Sequence, residues 1–285
     1  MYWSRVKTIL IILFLCINIF LLISMMVSVN QTITISSDAL EDTVEVLKRN
    51  GIEIDKNIIP TKMSHMPSLK MENPVRHPVA LAEMMIGAGF EQEIEGSEYK
   101  FVLNDKALIV RGCEFTYSDK ASDMDMKALN QTNAEEYVRK ILLESFKFDL
   151  QYAAPGIVKK VQDGRFTVMF QQEYAKKRIF SNYIIVDISA KGEIDIKGYW
   201  LIPKGFTSEK IPVRHVTSIL IDFIKNSDRP QDQTVTVTGI ALGYHRVDMN
   251  DVYVKETMAA PAWRITTDDG NVYYYDAATG KYVPM

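Results

Sequence analysis

The first pattern along the chain is an unbroken one. From Thr8 to Val29 no residue is charged, and 22 residues in a helix rise about 33 Å, enough to cross a hydrocarbon core of roughly 30 Å. The stretch predicts one transmembrane helix over residues 8–29, preceded by a short segment, residues 1–7. A secretory signal peptide is the competing reading. Its apolar region usually runs about 7–15 residues and closes on small side chains at the cleavage site, which SMMVSVNQT supplies poorly. An uncleaved anchor fits better. Arg5 and Lys7 stand just before the span, while NQTITISSDALED after it carries no base. By the positive-inside rule the N-terminus lies in the cytoplasm and everything past Val29 lies outside.

Beyond the span the pattern becomes that of a water-soluble α+β protein. In DALEDTVEVLKRNG, Leu40, Val44 and Leu47 share one helical face, Asp38 with Glu41 offers a cap, and Gly51 offers a stop. TKMSHMPSLKMENPVRHP shows no period and reads as a loop. VALAEMMIGAGF has helical spacing, and EYKFVLNDKALIVRGCEFTYSD alternates as a hairpin turning at Asn104 and Asp105. SDKASDMDMKALNQ is a polar linker.

From Thr132 the signal sharpens. TNAE has the form of a capping box, and Val138, Ile141, Leu142, Ser145 and Phe146 follow the spacing of a buried helix face. The period then changes to two. Phe166, Val168 and Phe170, then Ile184, Val186 and Ile188, then Ile194 and Ile196 each fall on one side of a strand, with turns at Gly164 and at Lys191-Gly192. This predicts an antiparallel meander packed on the Thr132 helix. The order recurs: IPVRHVTSILIDFIKN reads as a helix with Pro212 near its first turn, and strand-like runs follow at QTVTVTGIALGYHRV, VYVKET, AWRITT and NVYYYD. The expected organisation is an N-terminal outer α+β region over residues 30–130 and two similar helix-plus-meander modules over 131–206 and 207–285.

Charge and composition narrow the chemistry. Removing Arg5 and Lys7 from the 33 bases leaves 31 against 36 acids, a formal charge of −5 outside the span, so nothing calls for nucleic acid. Cys16 lies in the span, and Cys113 has no second cysteine outside it to pair with. No HExxH, GxSxG, phosphate-binding Gly-rich loop or CxxC is present. No cofactor, metal site or catalytic residue is assigned, and the chain does not read as an enzyme. Met63, His65 and Met66 have the chemistry of soft copper ligands but read as apolar filler. Asp119, Asp123 and Asp125 lack the glycine and terminal glutamate of a calcium loop. Of four histidines, His245, between strand-breaking glycines and Arg246, is the best-placed candidate for a site.

The C-terminal run AWRITTDDGNVYYYDAATGKYVPM is the most distinctive stretch outside the span. It supports two readings. Tyr274 fills a core while its neighbours shield an edge, or Trp263, Tyr273, Tyr275 and Tyr282 form an aromatic recognition surface, as such rings do at interfaces and on sugars.

The opening WSRVKTILIILFLCINIFLL, the segment LKRNGIEIDKNIIP and the ending PAWRITTDDGNVYYYDAATG resemble the YycI/YycH-type regulators, membrane-anchored extracytoplasmic proteins of Gram-positive bacteria. With one span and about 250 outer residues, the chain is more similar to the YycI member. The resemblance implies a non-enzymatic partner of a sensor histidine kinase of the WalK type, which controls cell-wall metabolism, with a YycH-like protein as a further partner. It also gives the polar residues of the span a purpose: Asn18, with Cys16 and Ser24, would orient this helix against a kinase helix among the membrane lipids. The other reading, from a different class, is an anchored binding module or inhibitor for cell-wall glycan or secreted enzymes, working through the tyrosine-rich end.

Overall fold

The computed structural model describes residues 2–29, 33–74, 77–120, 126, 128–162, 164–226, 234–246 and 255–283. It is a mixed α+β protein whose strands pair almost wholly antiparallel, behind one apolar N-terminal helix. In chain order the first elements are α1 (Tyr2–Val29), β1 (Ile33–Thr34), α2 (Ser37–Arg49), β2 (Ile52–Ile54), β3 (Lys62–Met63), β4 (Met66–Glu72) and α3 (Pro78–Met85). Next come β5 (Glu91–Glu95), β6 (Glu98–Leu103), β7 (Lys106–Arg111), β8 (Glu114–Asp119) and α4 (Ala134–Lys140), which passes into a π turn over Ile141–Ser145. Then follow β9 (Ile157–Gln162), β10 (Arg165–Tyr174), β11 (Lys177–Ser189), β12 (Ile194–Tyr199) and β13 (Ile202–Ile211). The last are α5 (Val216–Asn226), β14 (Val235–Arg246), β15 (Glu256–Thr267), β16 (Val272–Asp276) and β17 (Tyr282–Val283).

The chain divides into two compact units. The larger gathers residues 68–207 and 242–262. Its frame is an eight-stranded sheet in the order β9-β10-β11-β12-β8-β7-β6-β5, each neighbour antiparallel. The period-two residues Phe166, Val168, Phe170, Ile184, Val186, Ile188, Ile194 and Ile196 are all buried on its inner face against Val138, Ile141, Leu142 and Phe146. The meander on the Thr132 helix therefore forms as the alternation predicts. Alternation has this power because a slip of one residue would turn the whole apolar set to water. The hairpin expected at Asn104-Asp105 is also present, with Asn104 in the left-handed region at φ 53°. A second turn at Gly112-Cys113 makes it a three-stranded piece, and β8 pairs with β12. Strands from both sides of residue 131 thus share one sheet.

The smaller unit gathers residues 1–67, 208–241 and 263–285. Here β2 lies parallel to the start of β14, Val235 opposite Ile52, and β14, β15, β16 and β17 follow in turn across the sheet. Helices α2 and α5 pack together, burying Leu47, Val216, Ile219, Leu220 and Phe223.

Several local readings are corrected. The α2 cap is Ser36, whose Oγ accepts from the Ala39 N–H at 3.3 Å, not Asp38. Thr132 and Glu135 form no capping box: Asn130 Oδ1 accepts from the N–H groups of Thr132 and Asn133, and Glu135 turns instead to Gly156. Ser145 is exposed because the π turn shifts it off the inner face. The stretch read as a loop after Pro60 contains strands β3 and β4, with Met63 and Met66 buried. Ile211 and Pro212 precede the second helix, which starts at Val216 after His215 Nδ1 accepts from the Thr217 N–H.

Candidate functional site

Among the described residues none covers the apolar N-terminal helix. Within α1 the window Val6–Ser24 has mean hydropathy 2.8, and none of it is buried. It is the one helix, among the described residues, long and apolar enough to cross a membrane. A helix apolar around its whole circumference has no face to turn toward water. At its N-terminal end the Lys7 ammonium sits 5.7 Å over the Trp3 ring.

Asn18 lies inside that window. Its Nδ2 donates to the Phe14 carbonyl at 2.7 Å, one turn back on its own helix. A side-chain amide has two donors and a carbonyl with two lone pairs, so this local bond takes up only part of its capacity. The face it sits on is otherwise Ile11, Phe14, Leu15, Leu21 and Leu22, by the 100° step of the helix. The expected grouping with Cys16 and Ser24 does not hold. At that step Cys16 lies about 160° around the helix and Ser24 about 120°, so the three polar residues address different directions.

The C-terminal aromatics belong to the smaller unit's interior. Trp263 is 0 % exposed and its Nε1 donates to the Arg214 carbonyl at 3.1 Å. Tyr275 is equally buried, and Tyr273 packs edge-on to Phe223 at 5.0 Å between centroids. Tyr282, across from Tyr275 in the β16–β17 register, is half-buried. Three of the four rings proposed as an outer recognition surface are therefore core, and all three tyrosines of the YYY run are buried. A strand covered on both faces buries both sets of its alternate side chains.

His245 is no better a site. It is 4 % exposed, with Nδ1 3.0 Å from the Arg246 carbonyl, and burial pushes its pKa below the ordinary imidazole value. The Arg246 guanidinium lies 4.7 Å over the Tyr199 ring and donates to its hydroxyl. Burial raises the Tyr199 phenol, with Cys113 adding to the effect. Asp119 is buried and accepts from Tyr117 at 3.2 Å, while Asp123 and Asp125 lie outside the described residues. Asp268 and Asp269 sit in a turn, accepting from the N–H groups of Thr236 and Asn271 respectively. Among the described residues no three His, Cys, Asp or Glu side chains gather as metal ligands.

One feature of the larger unit had no local signal. Tyr152, Tyr174, Phe206 and Tyr244 form a row of rings at centroid spacings of 5.2, 5.1 and 5.9 Å, with Phe206 40 % exposed. These residues come from a loop and three separate strands, so only the folded chain brings them together.

A family model described as YycI protein matches residues 30–279. No curated protein matches the chain. Among solved structures, that of an uncharacterized protein from Eubacterium rectale ATCC 33656 is similar, with a TM-score of 0.49 and 12 % sequence identity over 89 % of this chain and 99 % of that one.

Proposed function

This chain belongs to the YycI family, a regulatory family of the WalK system, and from that premise we propose that it binds a sensor histidine kinase through its apolar helix and outer body. The N-terminus is cytoplasmic and the body lies outside the membrane, as the bases ahead of the span argue. The observation that carries the reading is the combination of the family match with a bare apolar helix holding one amide at mid-span. Inside a bilayer there is no water to complete the hydrogen bonding of Asn18, so a neighbouring helix is its natural partner, at on the order of 1 kcal/mol. A regulator of this kind needs no catalytic group. It shifts the kinase between states by the difference in its contact free energy with each, and a YycH-like sister protein would add to that difference. The reading as a glycan- or enzyme-binding module loses its basis with the burial of Trp263, Tyr273 and Tyr275.

The test is recovery of the tagged full-length chain from its own membranes, with bound proteins identified by mass spectrometry. A parallel variant has α1 replaced by an unrelated apolar helix. A histidine kinase recovered with the native chain and depleted with the replacement supports the reading. Absence of any kinase from the native sample overturns it.

A further inference from the structure

Within the larger unit the eight-stranded run from β9 to β5 ends in two edges of opposite charge. At one end β9, IVKKVQ, carries Lys159 and Lys160 and no acid, and Ile157 and Val161 are 54 % and 55 % exposed. At the other end β5, EQEIE, carries three glutamates and no base, and all five of its residues are exposed, Ile94 at 58 %. Among the described residues β9 pairs only with β10, and β5 only with β6. Each edge thus presents a row of backbone N–H and C=O groups that can accept a further strand.

We propose that the two edges join copies of this chain, the β5 edge of one copy pairing antiparallel with the β9 edge of the next. The direction of the strands permits it. Eight strands, each antiparallel to its neighbour, leave β9 and β5 running in opposite senses. A second copy set alongside in the same orientation therefore extends the sheet with the same antiparallel pairing.

The faces agree as well. Following the cross-strand partners from Ile157 through Met169, Ile185, Lys197, Thr116, Ile109 and Lys100 ends at Glu93, so Ile157 and Glu93 share the outer face. Setting Glu93 opposite Lys159 then sets Ile94 opposite Val158 on the inner face and Gln92 opposite Lys160. One register places opposite charges together outside and two apolar side chains together inside, the kind of pair that stabilises a sheet. Glu93 already lies 3.1 Å from Lys100 in its own copy, so Lys159 would extend an existing pair into a row.

The charges also decide against other pairings. Two β5 edges would oppose glutamates, and two β9 edges would oppose lysines, so like edges repel while unlike edges attract. The contact is heterologous and does not close on itself with two copies. Confinement of the chain to a membrane raises the local concentration at which a weak edge contact is populated. The inference stands apart from kinase binding, and its test needs no kinase.

The experiment uses full-length protein reconstituted in lipid vesicles, in a Cys16→Ser background that leaves the buried Cys113 as the remaining native thiol. Glu93→Cys and Lys159→Cys variants, each carrying a different tag, are oxidised singly and mixed. Opposite residues on adjacent strands lie about 4.5–5.5 Å apart, within reach of a disulfide. The expected result is a disulfide dimer carrying both tags in the mixed sample only. Charge reversal by Lys159→Glu, in otherwise native chain, removes the multimers seen by chemical cross-linking, and Glu93→Lys in the same chain restores them. Both positions are exposed, so thermal melts should not move. A disulfide in the Glu93→Cys sample alone, no mixed dimer, or multimers indifferent to charge reversal would each overturn the proposal.

Discussion

Two stretches of this chain are dense in large apolar side chains, and the structure treats them in opposite ways. The helix Tyr2–Val29 keeps its whole apolar window uncovered, whereas the C-terminal set Trp263, Tyr273, Tyr274 and Tyr275 is buried almost completely. The difference lies in periodicity and polar handles. The helix is apolar around its circumference, so no single packing face covers it, and it needs a medium. The aromatic strands alternate sides, α5 covers Tyr273 through Phe223, and the indole N–H of Trp263 finds the Arg214 carbonyl. Aromatic density near a chain end is therefore not by itself a docking surface. What counts is whether the fold supplies a cover.

The sharpest way to break this contrast is Trp263→Ala. As a fully buried side chain its truncation should cost about 3–5 kcal/mol, seen as a lower denaturation midpoint. A surface role would instead leave the midpoint in place and abolish binding. The outcome separates core from recognition without any knowledge of the ligand.

A smaller effect is expected between the two extremes, at Glu135, which is neither covered nor bare. Its Oε1 accepts from the Gly156 N–H and from Arg139, both at 2.9 Å, and these bonds hold its carboxyl below the usual range, the Gly156 bond foremost. Residue 156 must be glycine for this approach, since a Cβ there would meet Glu135 Cγ and the Phe170 ring at 2.9 Å. Because the folded pKa is lowered, the stabilisation is fully present above the ordinary glutamate value of about 4.3 and is lost as pH falls through the folded value. Glu135→Gln should cost about 1 kcal/mol near neutral pH and flatten the acid side of the stability profile. Denaturant titrations at several pH values check it.

The smallest effect belongs to the bare helix. Asn18→Leu should leave the melting of the outer body unchanged and weaken association with the kinase by about fivefold or less, the equivalent of roughly 1 kcal/mol. Quantitative co-purification from membranes measures it. A fall in outer-body stability on this substitution would show that α1 is covered by the fold after all.

The strands whose faces differ in polarity were legible residue by residue. Phe166, Val168 and Phe170 and their partners in β11 and β12 are buried where alternation put them. Caps were less legible, since Ser36, Ser37 and Asp38 all have capping chemistry and only the path of the backbone selects one. Candidate site residues were least legible. The helical step was enough to separate Cys16 from Asn18, but the burial of Trp263 depends on α5 and on the segment around Arg214, which local pattern does not locate.

By itself the sequence determined the apolar span, the α+β class, the antiparallel meander and its buried face, because each follows from a period repeated over neighbouring residues. Tertiary structure alone decided that β8 joins β12, that the aromatic end is core, and that the sheet closes on a basic edge and an acidic one. Those outcomes depend on contacts between residues tens of positions apart, and a local pattern carries the preference of a side chain for burial without naming what buries it.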